Sequence, residues 1–298
     1  MKNMLFLYNP NSGRGHIKSC LNDITDIFEN GGYAVTVYPS KCKDDLKNEI
    51  IKNGKNYDTV VVSGGDGTLN EAINGLMEID EELRPHLGYI PSGTTNDFAQ
   101  SNNIPKNNFK KAANNIVEGE SISVDAGKFN DVYFSYVAAF GAFTSVSYET
   151  NQQAKNLIGF GAYVLEAIKS LPNIKPHKVK VICDDKEVED EFIFGGVSNS
   201  YYVAGVKLKK EMEVSLSDGL FECLLIKSPS NPIDFQFAIA DLITNNIKSD
   251  KFVIMKGKNV KFIFENETEW TLDGEYGGKI KEANIVNYNK AINIITKQ

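Results

Sequence analysis

The sequence predicts an α/β first domain with a mostly parallel sheet, followed by a β-rich domain of antiparallel, sandwich-like structure. In roughly the first 125 residues, strand patterns alternate with helix patterns. Strands separated by helices favour right-handed crossovers and parallel pairing. After about Val124, strand-like segments follow one another with turn residues between them, which indicates antiparallel pairing.

The elements of the first domain follow from two periodicities. Short apolar or β-branched runs predict strands, and apolar residues at helical spacing predict helices. The predicted strands are Met4–Tyr8, Tyr33–Tyr38, Tyr57–Val62 and Leu87–Ile90, and the predicted helices cover residues 17–28 and 69–76.

The second domain contains more strand patterns than helix patterns. Its predicted strands are Tyr133–Phe140, Val179–Cys183, Glu191–Ser198, Phe221–Ile226, Phe252–Met255, Val260–Phe264 and Glu269–Leu272. Two helices are predicted, over residues 154–171 and 232–246. The change of pattern places the first domain at residues 1–126 and the second at residues 127–288.

Composition excludes several classes of protein. The net charge is −7 and the pI about 5.2, whereas nucleic-acid-binding domains usually carry a basic excess. The four cysteines and three histidines are scattered along the chain, which predicts reduced thiols and neither a zinc site nor a disulfide framework. No apolar run approaches the ~20 residues that span a bilayer. We therefore expect a cytoplasmic protein.

A glycine-containing segment, Asn9–Gly15, follows the first predicted strand and opens the first helix. Backbone N–H groups at a helix N-terminus suit phosphate, and the side chains of Asn11 and Ser12 add donors. The segment lacks the Gly-Lys-Ser/Thr ending of a P-loop. By itself it is as easily explained as a turn between a strand and a helix.

A second segment, Ser63–Glu71, is more informative because three of its nine residues are glycines. Glycine allows positive φ angles and close approach of the backbone to a ligand. We expect Asp66 at the tip of the loop, where it binds Mg²⁺ or orders the loop, and Thr68 as the cap of the next helix with its hydroxyl towards phosphate. The alternative is an ordinary glycine-rich β–α turn.

A third segment, Pro91–Ala99, follows another predicted strand and offers hydroxyl, amide and carboxylate groups. Alone it resembles a common Asx-type helix start. Ligands bind beyond the carboxyl ends of the strands in open α/β sheets, so segments at successive strand ends are expected to form one site.

Together these segments resemble those of the diacylglycerol-kinase-type lipid kinases of bacteria, within the wider group that includes NAD kinases and phosphofructokinases. The resemblance covers essentially the whole chain. It rests on the order and spacing of Asn9–Gly13, Gly64–Glu71, Gly93–Phe98, Asp125–Gly127, Ser217–Leu220 and Asp273–Glu275. It also implies that residues about 289–298 return to complete the first domain.

The resemblance implies roles for individual residues. Glu275 would be the general base, and Asp66 would help to stabilise the transferring phosphoryl group. A structural Mg²⁺ would be bound by Asp218 with backbone oxygens of Ser215 and Leu220, and Asp125 would reach it through water. The nucleotide-binding residues would be Asn9, Pro10, Asn11, Ser12, Gly13, Ser40, Gly64, Gly65, Asp66, Gly67, Thr68, Leu69, Asn70, Thr94 and Asp97.

A physical reading of the later segments agrees with this assignment but leaves alternatives open. Phosphoryl transfer needs Mg²⁺, fixed hydrogen-bond donors that neutralise the phosphate charge, and a carboxylate that takes the acceptor's proton. Asp273-Gly274-Glu275 supplies a carboxylate on a loop, although Asp-Gly is also a common turn pair. Aromatic residues that include Phe140, Phe143, Tyr148 and Phe160 are candidates for an apolar mouth, or for core positions.

The favoured function is ATP-dependent, Mg²⁺-assisted phosphorylation of a diacylglycerol-like lipid to phosphatidic acid. The expected partner is a lipid at a membrane surface, contacted peripherally, with no nucleic acid and with a possible homodimer. One alternative is an NAD kinase-like enzyme acting on a soluble acceptor. Another is a non-catalytic regulator that binds nucleotide or lipid.

Overall fold

The computed structural model divides the chain into two compact units. The first comprises Met1–Ala126, Val132–Ser135 and Tyr288–Gln298, and the second comprises Gly127–Asp131 and Tyr136–Asn287. The short segment at residues 132–135 belongs to the first unit, whereas the sequence places it in the second domain. The structure describes residues 1–93, 96–142, 175–203, 206–207, 214–244, 246 and 249–297.

The first unit alternates strands and helices. Its strands are β1 (Lys2–Tyr8), β2 (Tyr33–Pro39), β3 (Thr59–Gly64), β4 (His86–Pro91), most of β5 (Glu120–Phe129), β6 (Val132–Phe134) and the end of β15 (Glu275–Thr296). Its helices are α1 (Leu21–Asn30), α2 (Asp45–Asn53), α3 (Asp66–Met77), α4 (Asp97–Ser101) and α5 (Phe109–Glu118). The pairs β1–β2, β1–β3, β3–β4 and β4–β15 are all parallel.

The central strands β1, β3 and β4 are largely buried on both faces, as the central strands of parallel sheets usually are. All of Met4–Tyr8 in β1 and all of Thr59–Gly64 in β3 are buried. Alternate residues of β1 pack with apolar residues of α1 and α5 in one core cluster. This burial holds the carboxyl ends of β1, β3 and β4 side by side.

The first predicted helix differs in type from the expectation. Residues 12–20 form a 3-10 helix, and the α-helix begins only at Leu21. Gly15 has a positive φ of 74°, which is incompatible with a regular α-helix at this position. The segment after β1 is therefore a tighter turn than the apolar spacing predicts.

The second unit is dominated by antiparallel strands. The described strands are β7 (Val137–Gly141), β8 (His177–Cys183), β9 (Lys186–Ser198), β10 (Tyr202–Val203), β11 (Val206–Lys207), β12 (Phe221–Lys227), β13 (Phe252–Gly257), β14 (Asn259–Leu272) and the first part of β15. The helix α6 (Pro232–Thr244) lies between β12 and β13. Antiparallel pairs link β13, β12, β9, β7, β14 and β15 in that order, and β8 pairs with both β9 and β14. The sandwich-like packing stays a prediction.

Two predicted strand boundaries are wrong. The segment expected as one strand over Tyr133–Phe140 is split into β6 and β7, because the backbone N–H groups of Tyr136 and Val137 donate to the Asp273 carboxylate instead of to a neighbouring strand. The two strands expected over Val260–Phe264 and Glu269–Leu272 form one continuous strand, β14, with a register shift between Ile263 and Thr268.

Some predictions concern residues that the structure does not describe. The expected helix over residues 154–171 and the candidates Phe143, Tyr148 and Phe160 lie outside the described residues. Within the described part of the chain, no helix has the length and apolar character needed to cross a membrane.

Candidate functional site

The three glycine-containing segments lie at the carboxyl ends of β1, β3 and β4 and are joined by hydrogen bonds. The Asn9 N–H donates to the Ser63 carbonyl over 3.0 Å, so the first two segments are linked directly. The Ser92 hydroxyl donates to the Ser12 hydroxyl oxygen over 2.8 Å, which ties the third segment to the first. The Ser92 N–H donates to the Gly64 carbonyl over 2.8 Å. The sheet therefore assembles these segments into one loop cluster.

Two glycines are required by close contacts inside this cluster. A Cβ atom on Gly64 would lie 2.2 Å from the side chain of Thr68. A Cβ atom on Gly93 would lie 2.7 Å from the Cα atom of Gly65. Both distances are far below van der Waals contact, so a larger residue would force the loops apart. The glycines thus allow two backbone segments to touch beside the strand ends.

Asp66 occupies a different position from the one predicted. It is the first residue of α3 and not the tip of a loop. Its Oδ2 accepts the Asn96 N–H over 3.1 Å, so the carboxylate links the second and third segments. A carboxylate in the first turn also interacts favourably with the positive end of the helix dipole. Asp66 therefore orders the loop cluster, one of the two roles expected of it.

The predicted roles of two neighbouring residues need correction. Gly65 is the N-cap of α3, whereas Thr68 lies within the first turn and is buried against Gly64. Leu69 is completely buried in the core because it lies on the apolar face of α3, so its side chain is not available to a nucleotide. Gly67 is partly exposed.

Asn70 is used to anchor α3 to β6. Its Nδ2 donates to the Tyr133 carbonyl over 3.1 Å. One turn later, Asn74 both donates to the Tyr133 carbonyl and accepts its N–H, over 2.8 and 3.0 Å. These contacts hold the helix that begins with Asp66.

Tyr89 is a buried residue of the cluster that the sequence does not single out. Its hydroxyl lies 3.1 Å from the Gly64 carbonyl and 3.2 Å from Asn96 Oδ1. Burial, together with the nearby Asp66 carboxylate, raises the pKa of Tyr89 well above its usual value, so the hydroxyl keeps its proton. The surrounding strand resembles any other apolar strand, and only the loop geometry identifies this tyrosine.

The first segment keeps its predicted place at the start of the helix. Asn9 Oδ1 accepts the Asn11 N–H over 2.9 Å, and the Asn9 carbonyl accepts the Ser12 N–H over 3.2 Å. The turn therefore folds back after β1, with Pro10 and Gly13 in it. Ser40 follows β2, and its N–H donates to the Tyr8 carbonyl over 2.9 Å, so it lies at the same end of the sheet.

Two candidates from the third segment have different outcomes. Thr94 lies outside the described residues. Asp97 begins α4 and is 1% exposed, so it is buried beneath the surface of the loop cluster. The residue before it, Asn96, has a positive φ of 51°, and its Nδ2 donates to the Gly93 carbonyl over 2.7 Å.

Asp125, the predicted water-mediated metal contact, is buried in the first unit. Its Oδ1 accepts the Lys290 N–H over 2.7 Å and lies 3.3 Å from Asn289 Nδ2. Asp125 thereby holds the turn at residues 289–290 in β15.

In the second unit, Glu275 is held by the turn that precedes it. Asp273 and Gly274 both have positive φ angles, 49° and 85°, which are the values of a two-residue hairpin turn between β14 and β15. Asp273 Oδ1 accepts the N–H groups of Tyr136 and Val137 over 2.9 and 3.1 Å. The motif is therefore a β-turn, as its composition also suggests, but its buried aspartate fixes the turn. The Glu275 carboxylate is exposed.

The predicted metal-binding residues Ser215, Asp218 and Leu220 lie directly before the start of β12. Asp218 Oδ1 accepts the Leu220 N–H over 3.1 Å, and Ser215 Oγ accepts the Ser217 N–H over 3.4 Å. Asp218 Oδ2 forms an ion pair with Lys256 Nζ at 3.0 Å, which the sequence did not reveal.

A buried carboxylate, Glu222, completes this charged cluster. Its Oε1 lies 3.3 Å from Lys256 Nζ. Burial raises the pKa of Glu222 to about 7, and the Lys256 ammonium opposes that rise. The pairing register of β12 and β13 could have identified Glu222 and Lys256 as an ion pair, because they are direct partners in it.

The chemistry of this cluster fits a hard divalent cation. Such ions prefer carboxylate and carbonyl oxygens. Among the described residues, no group of three or more His, Cys, Asp or Glu side chains is placed to hold a metal ion. A cation on Asp218 would therefore depend on backbone oxygens, such as those of Ser215 and Leu220, and would share its carboxylate with Lys256.

Phe140 does not form an apolar mouth. It is fully buried, with its ring centroid 4.8 Å from Phe264 and 5.1 Å from Trp270. The contact with Phe264 is edge-to-face, an arrangement that stabilises cores. The alternative interpretation of this aromatic residue as a core position is confirmed.

Comparisons with known proteins agree with one another. The family model for the diacylglycerol kinase catalytic domain matches residues 3–129. A diacylglycerol kinase of Bacillus subtilis (strain 168) is 32% identical over 296 residues, which cover 99% of this chain and 96% of the relative. A diacylglycerol kinase of Staphylococcus aureus (strain bovine RF122 / ET3-1) is 34% identical over 297 residues, covering 98% and 92%. A crystal structure of a diacylglycerol kinase from Bacillus anthracis str. Sterne matches with a TM-score of 0.81 and 25% identity, covering 99% of this chain and 97% of that one.

Proposed function

The chain belongs to the diacylglycerol kinase family, and we propose that it is an ATP-dependent lipid kinase. The acceptor is the hydroxyl of diacylglycerol or of a similar lipid, and the product is phosphatidic acid. In the transfer, the hydroxyl oxygen forms a bond with the γ-phosphorus while the bond from that phosphorus to the β–γ bridging oxygen breaks. ADP leaves, and the hydroxyl proton passes to a base.

The loop cluster of the first unit is the observation that carries this proposal. Three segments at parallel strand ends are joined through Asn9, Ser12, Asp66 and Ser92, and two of them touch at Gly65 and Gly93. Backbone N–H groups beside glycines and at helix starts are suited to phosphate oxygens. We assign the cluster to the phosphates of ATP.

We assign Glu275 as the general base. A base must present an accessible carboxylate in a fixed position. Glu275 is exposed, yet it follows a turn that Asp273 fixes with two hydrogen bonds to backbone N–H groups. This combination of a solvent-accessible group on a rigid turn supports proton abstraction from a lipid hydroxyl.

Magnesium is assigned two places. Bound to ATP, it would neutralise phosphate charge, and Asp66 is the carboxylate of the loop cluster suited to hold it. Bound in the second unit, it would be held by Asp218 with the carbonyl oxygens of Ser215 and Leu220 and would order that loop. Asp125 belongs to the first unit, where it holds the turn at residues 289–290.

Because the proposed acceptor is a lipid, we propose a cytoplasmic enzyme that contacts the membrane surface peripherally. The net charge of −7 disfavours broad electrostatic attraction to anionic lipids, so contact would depend on a local surface. No role for nucleic acid is proposed, and a homodimer stays a prediction.

Incubation of the purified chain with [γ-³²P]ATP, MgCl₂ and mixed micelles containing diacylglycerol tests the function. The expected product is labelled phosphatidic acid. If NAD⁺ became labelled in a parallel reaction and the lipid did not, the chain would be assigned as an NAD kinase-like enzyme instead of a lipid kinase. ATP binding without transfer to either acceptor would instead indicate a regulator.

A further inference from the structure

Lys256 lies between two carboxylates of very different exposure. Its Nζ is 3.0 Å from Asp218 Oδ2 and 3.3 Å from Glu222 Oε1. The Glu222 side chain is 2% exposed, whereas that of Asp218 is 31% exposed. Glu222 and Lys256 are paired by the register of β12 and β13, so the sheet fixes the position of the ammonium group.

Glu222 depends on this ammonium more than Asp218 does. Within the described part of the chain, Glu222 Oε2 makes no hydrogen bond. A buried carboxylate without such bonds needs a nearby opposite charge. Lys256 is therefore expected to keep its ion pair with Glu222 even when Asp218 binds another partner.

Asp218 has a second potential partner. Its Oδ1 already accepts the Leu220 N–H, which keeps the carboxylate on the loop proposed to hold a divalent cation. The remaining oxygen, Oδ2, is the one that Lys256 contacts. An ammonium group and a divalent cation are both positively charged. They therefore repel each other when both lie against this one oxygen.

We propose that Lys256 competes with the divalent cation for Asp218, and that Glu222 retains the ammonium group when the cation binds. The inference rests on the proposed function, because it concerns the metal assigned to Asp218. Its consequence is that the affinity of the metal site is set by two side chains that need not touch the metal. Cation binding would break the ion pair of Lys256 with Asp218 and keep its ion pair with Glu222.

Titration of the nucleotide-free full chain with MgCl₂ alone tests this proposal. Binding is followed by calorimetry and by the rise in melting temperature, at one fixed pH for all variants. Lys256→Met is expected to lower the half-saturating Mg²⁺ concentration about tenfold, a typical size for coupling between two ligands. Asp218→Asn is expected to abolish binding at this site.

A double-mutant cycle separates competition from a general charge effect. Glu222→Gln is expected to weaken Mg²⁺ binding several-fold, because Lys256 then has Asp218 as its main partner. In the Lys256→Met background, Glu222→Gln is expected to have little further effect. If Glu222 bound the metal itself or acted only through its charge, the substitution Glu222→Gln would weaken Mg²⁺ binding equally in both backgrounds.

A matched control is available in the same unit. Lys251 forms an ion pair with Asp241 at 3.0 Å, with side-chain exposures of 30% and 20%, so Lys251→Met removes a similar ion pair elsewhere. It is expected to leave Mg²⁺ binding unchanged. Lys256→Gln keeps hydrogen-bond donors next to Glu222 and serves as the second variant if Lys256→Met fails to fold.

Three results would overturn the proposal. These are equal half-saturation in the wild type and in both Lys256 variants, retained binding in Asp218→Asn, or an effect of Glu222→Gln that persists without Lys256. None of these measurements uses ATP or lipid. Failure of the lipid kinase assay and failure of this competition are therefore distinguishable.

Discussion

The two regions proposed to act in catalysis are built in different ways. In the first unit, parallel strands β1, β3 and β4 end side by side, so segments far apart in sequence are joined by short hydrogen bonds such as that from Ser92 to Ser12. In the second unit, Glu275 follows a hairpin turn and Asp218 lies on a separate loop, each held by its own local contacts. A parallel sheet therefore assembles a site from its topology alone, whereas antiparallel strands position single residues one by one.

This contrast predicts different kinetic consequences. Changes in the loop cluster should act mainly on ATP binding, because several backbone groups share the phosphates. Asp66 is the exception, since it is also assigned to the metal and should affect kcat as well. Changes in the turn that carries Glu275 should act mainly on kcat, because one carboxylate performs one step. The predictions below test that division, in order of decreasing expected effect.

Glu275→Gln should have the largest effect. Loss of the general base is expected to lower kcat by roughly 10²–10⁴-fold while the KM for ATP changes little. The measurement is the initial rate of phosphatidic acid formation at saturating lipid. Glu269→Gln is the control, because Glu269 is another exposed glutamate of the same unit. Full turnover by Glu275→Gln would remove this residue from the mechanism.

Asp66→Asn should lower kcat by on the order of 10²-fold, because it removes a charge that helps to hold the metal and the transferring phosphate. It should also raise the KM for ATP, since Asp66 links α3 to Asn96 through a hydrogen bond of 3.1 Å. Steady-state kinetics in ATP measure both constants. Asp26→Asn, on the exposed face of α1, is expected to match the wild type. An effect on kcat alone would mean that Asp66 does not order the loops.

Much of the loop cluster could be predicted from the sequence, because glycines and polar residues directly after apolar strands mark strand ends. The position of Asp66 could not be predicted, because a shift of one residue in the helix start moves its side chain from the loop to the first turn of the helix. Lys256 and Glu222 were also missed. They lie in ordinary strand patterns, and only the register that pairs β12 with β13 brings them beside Asp218.

Gly93→Ala should have an intermediate effect, mainly on stability and on the KM for ATP. The added Cβ atom would lie 2.7 Å from the Cα atom of Gly65, a backbone contact that cannot be relieved by a rotamer change. Overpacking of this kind costs about 1–3 kcal/mol. Thermal unfolding and ATP kinetics measure the change.

Gly65→Ala provides the matched comparison for that prediction. Its Cβ atom would lie 3.4 Å from the Cα atom of Gly93, which is tight but near ordinary contact. We expect a clearly smaller loss of stability than for Gly93→Ala. Equal losses would contradict the close approach of these two segments.

Ser12→Ala should have the smallest effect. It removes the hydrogen bond of 2.8 Å with Ser92, and a typical hydrogen bond contributes about 0.5–1.5 kcal/mol. A rise of several-fold in the KM for ATP is expected, with kcat nearly unchanged. Ser19→Ala, in the same 3-10 helix, removes local contacts with the His16 carbonyl and Cys20 Sγ and is the control. A larger effect on kcat than on KM would contradict the assignment of Ser12 to ATP binding.

Equilibrium binding of [α-³²P]ATP to Glu275→Gln tests that division most directly. The proposed roles predict that this variant binds ATP within about twofold of the wild type while it forms almost no phosphatidic acid. A loss of ATP binding in step with the loss of turnover would contradict the assignment of nucleotide binding to the loop cluster and of proton abstraction to Glu275.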